Sequence, residues 1–248
     1  MSDNPGFTPN EMMTIAASRA LRNDDVCFVG IGAPSAACNV ARLTHAPDIT
    51  LIYESGTIGT APDVLPLSIG DGELCETAVT TVAVPEMFRY WLQGGRISIG
   101  FLGAAQLDRF GNINTTVIGD YEKPKVRLPG AGGAPEIARS AGRVIVLLRH
   151  SPRSFVDELD FITSVGRELD GASNGAPGSA VITDLGILRP SADGELELVA
   201  LHPGVELDDV RAATGWPLRV REPVEVTEPV TERELSELRA LRVAADDG

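Results

Sequence analysis

In Leu51-Ile52-Tyr53-Glu54-Ser55-Gly56-Thr57 an apolar run ends in a tyrosine and passes straight into a carboxylate, a serine and a glycine. Carboxylates are among the side chains least often fully buried, so one that closes a core-like strand needs a reason. At a strand's carboxyl end, Glu54 lies on the edge where open α/β sheets bind ligands, and Gly56 leaves room for a group to approach. Two chemical roles fit: nucleophile toward an activated acyl group, or general base on a water. A salt-bridged or helix-capping glutamate fits the spacing at least as well.

Four other stretches carry polar or glycine-rich chemistry. In LPGAGGAPE, Gly130, Gly132 and Gly133 let backbone N–H groups converge ahead of a helix, a nest suited to a phosphate or a developing oxyanion. A flexible surface loop explains it equally well, and the Gly-Lys-Ser/Thr ending of a P-loop is missing. In FLGAAQLDRFGNIN, small residues follow a strand, and Gln106 is placed to bind a substrate or to cap the local backbone; Asn112 and Asn114 read as turn formers. Lys123, Lys125 and Arg127 form a basic cluster that suits an anionic tail or a solvated loop. Gly30-Ile31-Gly32 sits between a strand and a helix but lacks the third glycine of a dinucleotide fingerprint, so a plain tight turn is expected.

The elements that must position these residues are those of an α/β chain. TPNEMMTIAASRAL reads as a helix capped by Thr8 with Glu11 three residues on, and DDVCFVGIG as a buried parallel strand. APSAACNVARL opens a helix with Pro34 in its first turn, and DITLIYESG completes a right-handed βαβ unit. Residues 57–84 are expected to form a long irregular loop of functional character. PEMFRYWLQGG is a short helix stopped by Gly94 and Gly95; RISIGFLGAAQ and GRVIVLLRH are core strands. After Pro152 the pattern turns to short strands: a hairpin around Asp184, Leu185 and Gly186, the alternating GELELVALHP, and two helices, the second capped by Thr231 and Glu234. One mostly parallel α/β domain over residues 1–248, β-rich from about 152, is the economical reading.

Composition narrows the partners. The chain of 248 residues carries 35 acids against 21 bases, a net charge of −14 that repels phosphate backbones, so neither nucleic acid nor an anionic membrane is expected. Aromatics make up 5%, too few for stacking platforms. No apolar run is long enough to span a bilayer and the first residues lack a leader pattern, so the cytoplasm is expected. Cys27, Cys38 and Cys75 have no CxxC spacing and read as buried free thiols; with His45, His150 and His202 scattered, no metal site is expected.

YESG after a βαβ unit, FLGAAQLDRFGNINTTVIGDY, LPGAGGAPEIA, VDELDFITSVG and VITDLGIL, in this order, resemble the B subunits of family I coenzyme A transferases, with the glutaconate type as the nearest named group. Each motif is weak alone; five in register over nearly the whole chain are hard to obtain by chance. The resemblance implies a three-layer α/β/α fold and Glu54 as the nucleophile that forms a mixed anhydride and then a glutamyl-coenzyme A thioester. It implies an acyl site lined by Gly130, Gly132 and Gly133 and by the backbone near Gly103 and Ala104, with Gln106 beside them. It also implies a partner A subunit of similar fold in an α2β2 heterotetramer, an active site at the A–B interface, and no cofactor beyond the coenzyme A carried by the substrate.

The segment after YESG departs from the small-dicarboxylate transferases. TIGTAPDVLPLSIGDGELCETA, with PEMFRYWLQGGRI, is most similar to the B subunit of the actinobacterial steroid-ring hydrolase of the same fold. That likeness implies water addition to a ring ketone β to a thioester and retro-Claisen opening of the last steroid-derived ring in cholesterol catabolism. It tips the expectation toward hydrolysis, with coenzyme A transfer through Glu54 as the alternative. A non-catalytic subunit completing a partner's site is a rival of another class; a sugar-phosphate isomerase is a weaker one, because the basic residues are too few and dispersed.

Overall fold

Thr8 opens the first helix by a reciprocal cap: its Oγ1 accepts from the Glu11 N–H at 3.2 Å, and Glu11 Oε2 accepts from the Thr8 N–H at 2.8 Å. The computed structural model describes residues 6–166 and 178–246; residues 1–5 of the N-terminal stretch lie outside them. The chain divides into two compact units, one running to residue 101 and resuming at 229, the other spanning 102–228.

In the first unit α1 (Pro9–Arg19) is followed by β1 (Val26–Phe28), α2 (Ala33–Thr44) and β2 (Thr50–Ile52). Strands β1 and β2 pair in parallel, Val26 opposite Thr50 and Phe28 opposite Ile52, which is the expected βαβ unit. Cys27, Phe28, Leu51 and Ile52 are all buried, without alternation, because both faces of such strands are covered. The region expected as an irregular loop instead contains β3 (Thr57–Ile58), α3 (Gly72–Glu76) and β4 (Thr80–Thr81). These strands of two residues carry no periodicity of their own; neighbouring backbone supplies it, with Ile58 opposite Ile52 and Thr80 opposite Ile58, both antiparallel. Helix α4 (Val84–Glu86) continues as a π-helical turn through Met87–Leu92 and stops at Gly94, where a side chain would meet the Tyr90 carbonyl. Strand β5 (Ile99–Gly103) then runs parallel to β1 on its other side.

The C-terminal helix (Glu232–Asp246) returns to this unit, and its Leu238 and Leu241 pack with Ile15, Ala36 and Val40. Each of the leucine, isoleucine and valine side chains among them, fully buried, contributes about 1.5–3 kcal/mol. Its position is fixed by two ion pairs. Arg19 reaches both carboxylate oxygens of Glu234 at 2.7 Å, and Arg239 donates to Glu11 at 3.0 Å. The Arg239 guanidinium, aided by Thr8, holds Glu11 down at about 2. Burial alone would raise Glu234, but Arg19 and Thr231 outweigh it and bring it to about 2.

The second unit begins with two ribbons, β6 (Gln106–Leu107) with β7 (Ile113–Asn114), and β8 (Val117–Gly119) with β9 (Pro124–Arg127). Helix α5 (Ala134–Ser140) leads into β10 (Val144–Leu147), all four residues of which are buried. Strand β11 (Ala180–Ile182) runs parallel to β10, and β12 (Gly186–Pro190) turns back as the expected hairpin. Strand β13 (Leu196–Leu201) pairs antiparallel with β12; α6 (Leu207–Ala212) then crosses over to β14 (Arg219–Val226), parallel to β13. His150 lies flat on Phe155, ring centroids 3.6 Å apart, and shares a 2.9 Å hydrogen bond with the Thr214 hydroxyl. Burial lowers its pKa to about 4. Among the described residues no helix is long and apolar enough to cross a membrane.

Two expectations follow from this packing. Gly56 has φ +105°, and a Cβ there would stand 2.0 Å from the Val82 carbonyl oxygen. Gly132, at φ +48°, faces open space. Gly56→Ala should therefore cost at least about 2–3 kcal/mol, whereas Gly132→Ala should cost about 1 kcal/mol; thermal denaturation of the two variants reads the difference, and equal midpoints would refute it. On acidification the unfolded chain binds a proton at His150 near pH 6.5 that the folded chain refuses until about 4. Stability should fall across that window, by on the order of 2–3 kcal/mol. Glu11 and Glu234 contribute fully above 4.5 and lose their contribution as pH falls toward 2. Urea midpoints against pH should show both limbs, with His150→Gln flattening the first and Glu234→Gln weakening the second.

Candidate active site

Glu54 lies two residues past β2, in a turn whose ends are both held by Tyr53. The Tyr53 carbonyl accepts from the Gly56 N–H at 2.9 Å, and the Tyr53 N–H donates to the Thr57 carbonyl at 3.1 Å. On the far side the Gly56 carbonyl accepts from the Val82 N–H at 2.9 Å, and this close approach of the next chain segment is why residue 56 has no side chain. The turn thus sits between two backbone neighbours and has little freedom to slide.

The Glu54 side chain is half-buried and, among the described residues, makes no ion pair or hydrogen bond. A salt-bridging or capping glutamate needs a cationic or N–H partner, and none is present here. The hydroxyls of Ser55 and Thr57, which follow Glu54, are buried and among the described residues equally without partners, Thr57 being only 1% exposed. Unsatisfied buried hydroxyls cost stability, and here two of them follow an unpaired carboxylate within three residues. Tyr53 itself is fully buried, its hydroxyl 2.8 Å from the Ser35 hydroxyl of α2, and burial pushes its phenol above the usual range.

The remaining candidates stand in the second unit, and the structure brings them together through Asn114 and Thr115. Asn114 is fully buried with its amide fully used: its Nδ2 donates to Gln106 Oε1 at 2.7 Å and to the Val117 carbonyl at 2.6 Å. Its Oδ1 accepts from the N–H groups of Thr116 and Val117. Next to it the Thr115 carbonyl accepts from the Gly130 N–H, and the Thr115 hydroxyl donates to the Gly130 carbonyl, both at 2.8 Å. The consecutive residues Asn114 and Thr115 therefore tie Gln106 to the head of the glycine-rich loop. Neither threonine nor asparagine stood out as a tether in the sequence, because the link joins residues 15 positions apart.

Within this frame the candidates differ. Gln106 spends its amide on the protein: Oε1 also accepts from the Asp160 N–H at 3.2 Å, and Nε2 donates to Asp160 Oδ2 at 2.7 Å. These bonds brace the loop and leave at most one amide hydrogen for a ligand. At Gly103, Gly130 and Gly132 a Cβ would meet nothing within 4 Å. Positive φ explains glycine at 130 (+100°) and 132 (+48°). Gly103 has no such requirement, so no contact among the described residues accounts for its missing side chain. Gly133 starts α5 at an ordinary φ of −84°, and Ala104 is half-buried beside Gly103.

Other sequence features find plain explanations. Lys123, Lys125 and Arg127 lie exposed on the second ribbon, with Arg127 over the Tyr121 ring. Gly32, at φ +81°, begins α2 as the tight turn expected there. Cys27 and Cys38 are buried as expected, their sulfurs 3.5 Å apart, but Cys75 is exposed: it lies on the short helix α3, whose buried residue is Leu74. Among the described residues no group of three or more His, Cys, Asp or Glu side chains could hold a metal ion.

Comparison with known proteins agrees with this arrangement. The family described as "Coenzyme A transferase" matches residues 10–213. The chain is 61% identical to the B subunit of the 3-oxoadipate CoA-transferase of Pseudomonas knackmussii, over 98% of this chain and 96% of the relative. It is 28% identical to the "Cholesterol ring-cleaving hydrolase IpdB subunit" of Mycobacterium bovis, over 84% of this chain and 82% of that one. The crystal structure of glutaconate coenzyme A-transferase from Acidaminococcus fermentans superposes with a TM-score of 0.85 at 30% identity, covering 96% of this chain and 95% of that one. The expected α/β fold is thereby shown, and the chain belongs to the coenzyme A transferase family.

Proposed function

We propose that this chain is the B subunit of a two-subunit coenzyme A transferase, that its substrates are a 3-oxo dicarboxylic acid and a second acid exchanging one coenzyme A, and that Glu54 is the covalent carrier. The observation that carries the proposal is Glu54 itself: a half-buried carboxylate on a turn gripped from both sides, with no cation or N–H partner among the described residues. The choice of transfer over hydrolysis follows the 61% identity to a transferase subunit. The opposing likeness around residues 57–78, which tipped the sequence reading toward steroid-ring hydrolysis, comes with 28% identity to a ring-cleaving subunit.

In this reading the Glu54 carboxylate attacks the thioester carbonyl and coenzyme A leaves as its thiolate, giving a mixed anhydride. The thiolate attacks the Glu54 carbonyl; the first acid departs, and a glutamyl thioester remains. The second acid attacks that thioester, and the returning thiolate takes its acyl group from the new anhydride, restoring the carboxylate. Oxyanions form at each addition, and backbone N–H groups near Ala104 and the Gly130–Gly133 loop are our candidates to stabilise them. Gly103, glycine without an internal reason, would leave the space through which the acyl chain lies. The reaction needs no cofactor beyond the coenzyme A of the substrate, and a cytoplasmic setting suits it.

A partner A subunit in an α2β2 assembly belongs to the same proposal. Exposed Leu67, Ile69, Val79 and Tyr90 in the first unit leave apolar surface uncovered, as an obligate interface would. With the two subunits co-expressed, Glu54→Gln should lower kcat/KM at least roughly 10³-fold, about 4 kcal/mol of barrier. Incubation with a 3-oxo dicarboxylyl-coenzyme A followed by hydroxylamine should inactivate the enzyme and leave a hydroxamate on the Glu54 peptide. Full activity after that treatment, or a ring-opened product that has gained water and kept its coenzyme A, would overturn the proposal.

A further inference from the structure

One face of α2 carries a row of buried polar groups joined by hydrogen bonds. Ser35, Asn39 and Arg42 follow one another at spacings of four and three residues, so they line a single helical face. Ser35 and Asn39 are completely buried and Arg42 is half-buried. Each is joined to the next: Asn39 Nδ2 donates to the Ser35 carbonyl at 3.0 Å, and Arg42 donates to Asn39 Oδ1 at 3.2 Å. The row then reaches out at both ends. The Ser35 hydroxyl bonds the Tyr53 hydroxyl at 2.8 Å, and Arg42 Nη2 donates to the Pro62 carbonyl at 3.0 Å.

Tyr53 and Pro62 bracket the segment that contains Glu54. Tyr53 is the residue whose N–H and carbonyl close the Glu54 turn, so its hydroxyl is a third anchor on the same residue. Hydrophobic attraction is non-directional, whereas a hydrogen bond between two buried hydroxyls fixes a direction. Replacing both partners of such a bond by apolar groups of the same shape is close to neutral for stability. What the pair contributes beyond apolar packing is therefore orientation.

We infer that the Ser35–Tyr53 hydrogen bond positions the Glu54 carboxylate for attack, with the Ser35–Asn39–Arg42 face of α2 acting as a splint along residues 53–62. This rests on Glu54 being the covalent carrier. Tyr53 and Ser35 are positioning residues, acting through the backbone of the turn. Their loss should affect how often the carboxylate meets the thioester carbonyl in line, and should leave substrate affinity alone.

The test is a double-mutant cycle on the co-expressed complex, read for both rate and stability. Tyr53→Phe and Ser35→Ala should each lower kcat about tenfold with KM for the acyl thioester unchanged within about twofold, and each should lower the thermal midpoint by orphaning one buried hydroxyl. The double variant should regain most of the stability while kcat stays about tenfold low. Hydroxamate formation at Glu54 should slow by the same factor as kcat. Wild-type kcat in the double variant would overturn the inference, since the bond would then serve the fold alone; so would a product of the two single effects, which would mean that the hydroxyls act separately. The wild-type enzyme separates this from the parent proposal: if its own Glu54 is never trapped, the transferase reading fails before any variant is measured.

Discussion

The structure around Glu54 depends on one residue being held in three directions. Tyr53 gives its N–H and its carbonyl to the turn and its hydroxyl to α2, and all of it is buried. A carboxylate on the next residue inherits that rigidity without using any of its own hydrogen-bonding capacity. This resolves why an acid follows a core strand: the strand's last aromatic is the anchor, and the acid is what the anchor presents. Gly56 completes the device, because only a residue without Cβ lets the Val82 segment close against the turn.

The second unit uses the same economy. Asn114 has all four of its amide hydrogen-bonding positions occupied, and Thr115 clasps Gly130 through two bonds, so the glycine-rich loop has a fixed root while its exposed tip at Gly132 remains free of side-chain contacts. Rigid framework and open backbone are the two properties that our proposal asks of this loop. Gln106, which the sequence offers as a substrate ligand or a cap on the local backbone, gives its amide oxygen and one amide hydrogen to Asn114 and Asp160.

What could be read in the chain beforehand was what local chemistry dictates. The capping boxes at Thr8 and Thr231, the buried run of β10 and the hairpin at Asp184–Gly186 each depend on residues within a few positions of one another. Strands β3 and β4 were hidden because two residues show no alternation and their pairing comes from distant backbone. The Ser35–Tyr53 bond spans 18 residues and the Gln106–Asp160 bond 54, beyond the reach of any periodicity. Glu54 was visible as an oddity, but whether it had a partner is a question of three-dimensional surroundings. The choice between water and a second carboxylic acid is not local either: the loop at 57–78 resembles a ring-cleaving subunit, whereas the 61% identity over nearly the whole chain is to a transferase subunit.

Oxygen labelling addresses the chemistry without perturbing the protein. If Glu54 carries the coenzyme A, an acceptor acid labelled with 18O in its carboxylate must leave one labelled oxygen on the Glu54 side chain at each turnover, because the returning thiolate cleaves the new anhydride on the acceptor's side. Mass spectrometry of the Glu54 peptide after turnover in ordinary water should show that oxygen, and turnover in 18O-water should put none into the products. An unlabelled Glu54 peptide, together with water oxygen in the product acid, would contradict covalent transfer through Glu54 and return the site to hydrolysis.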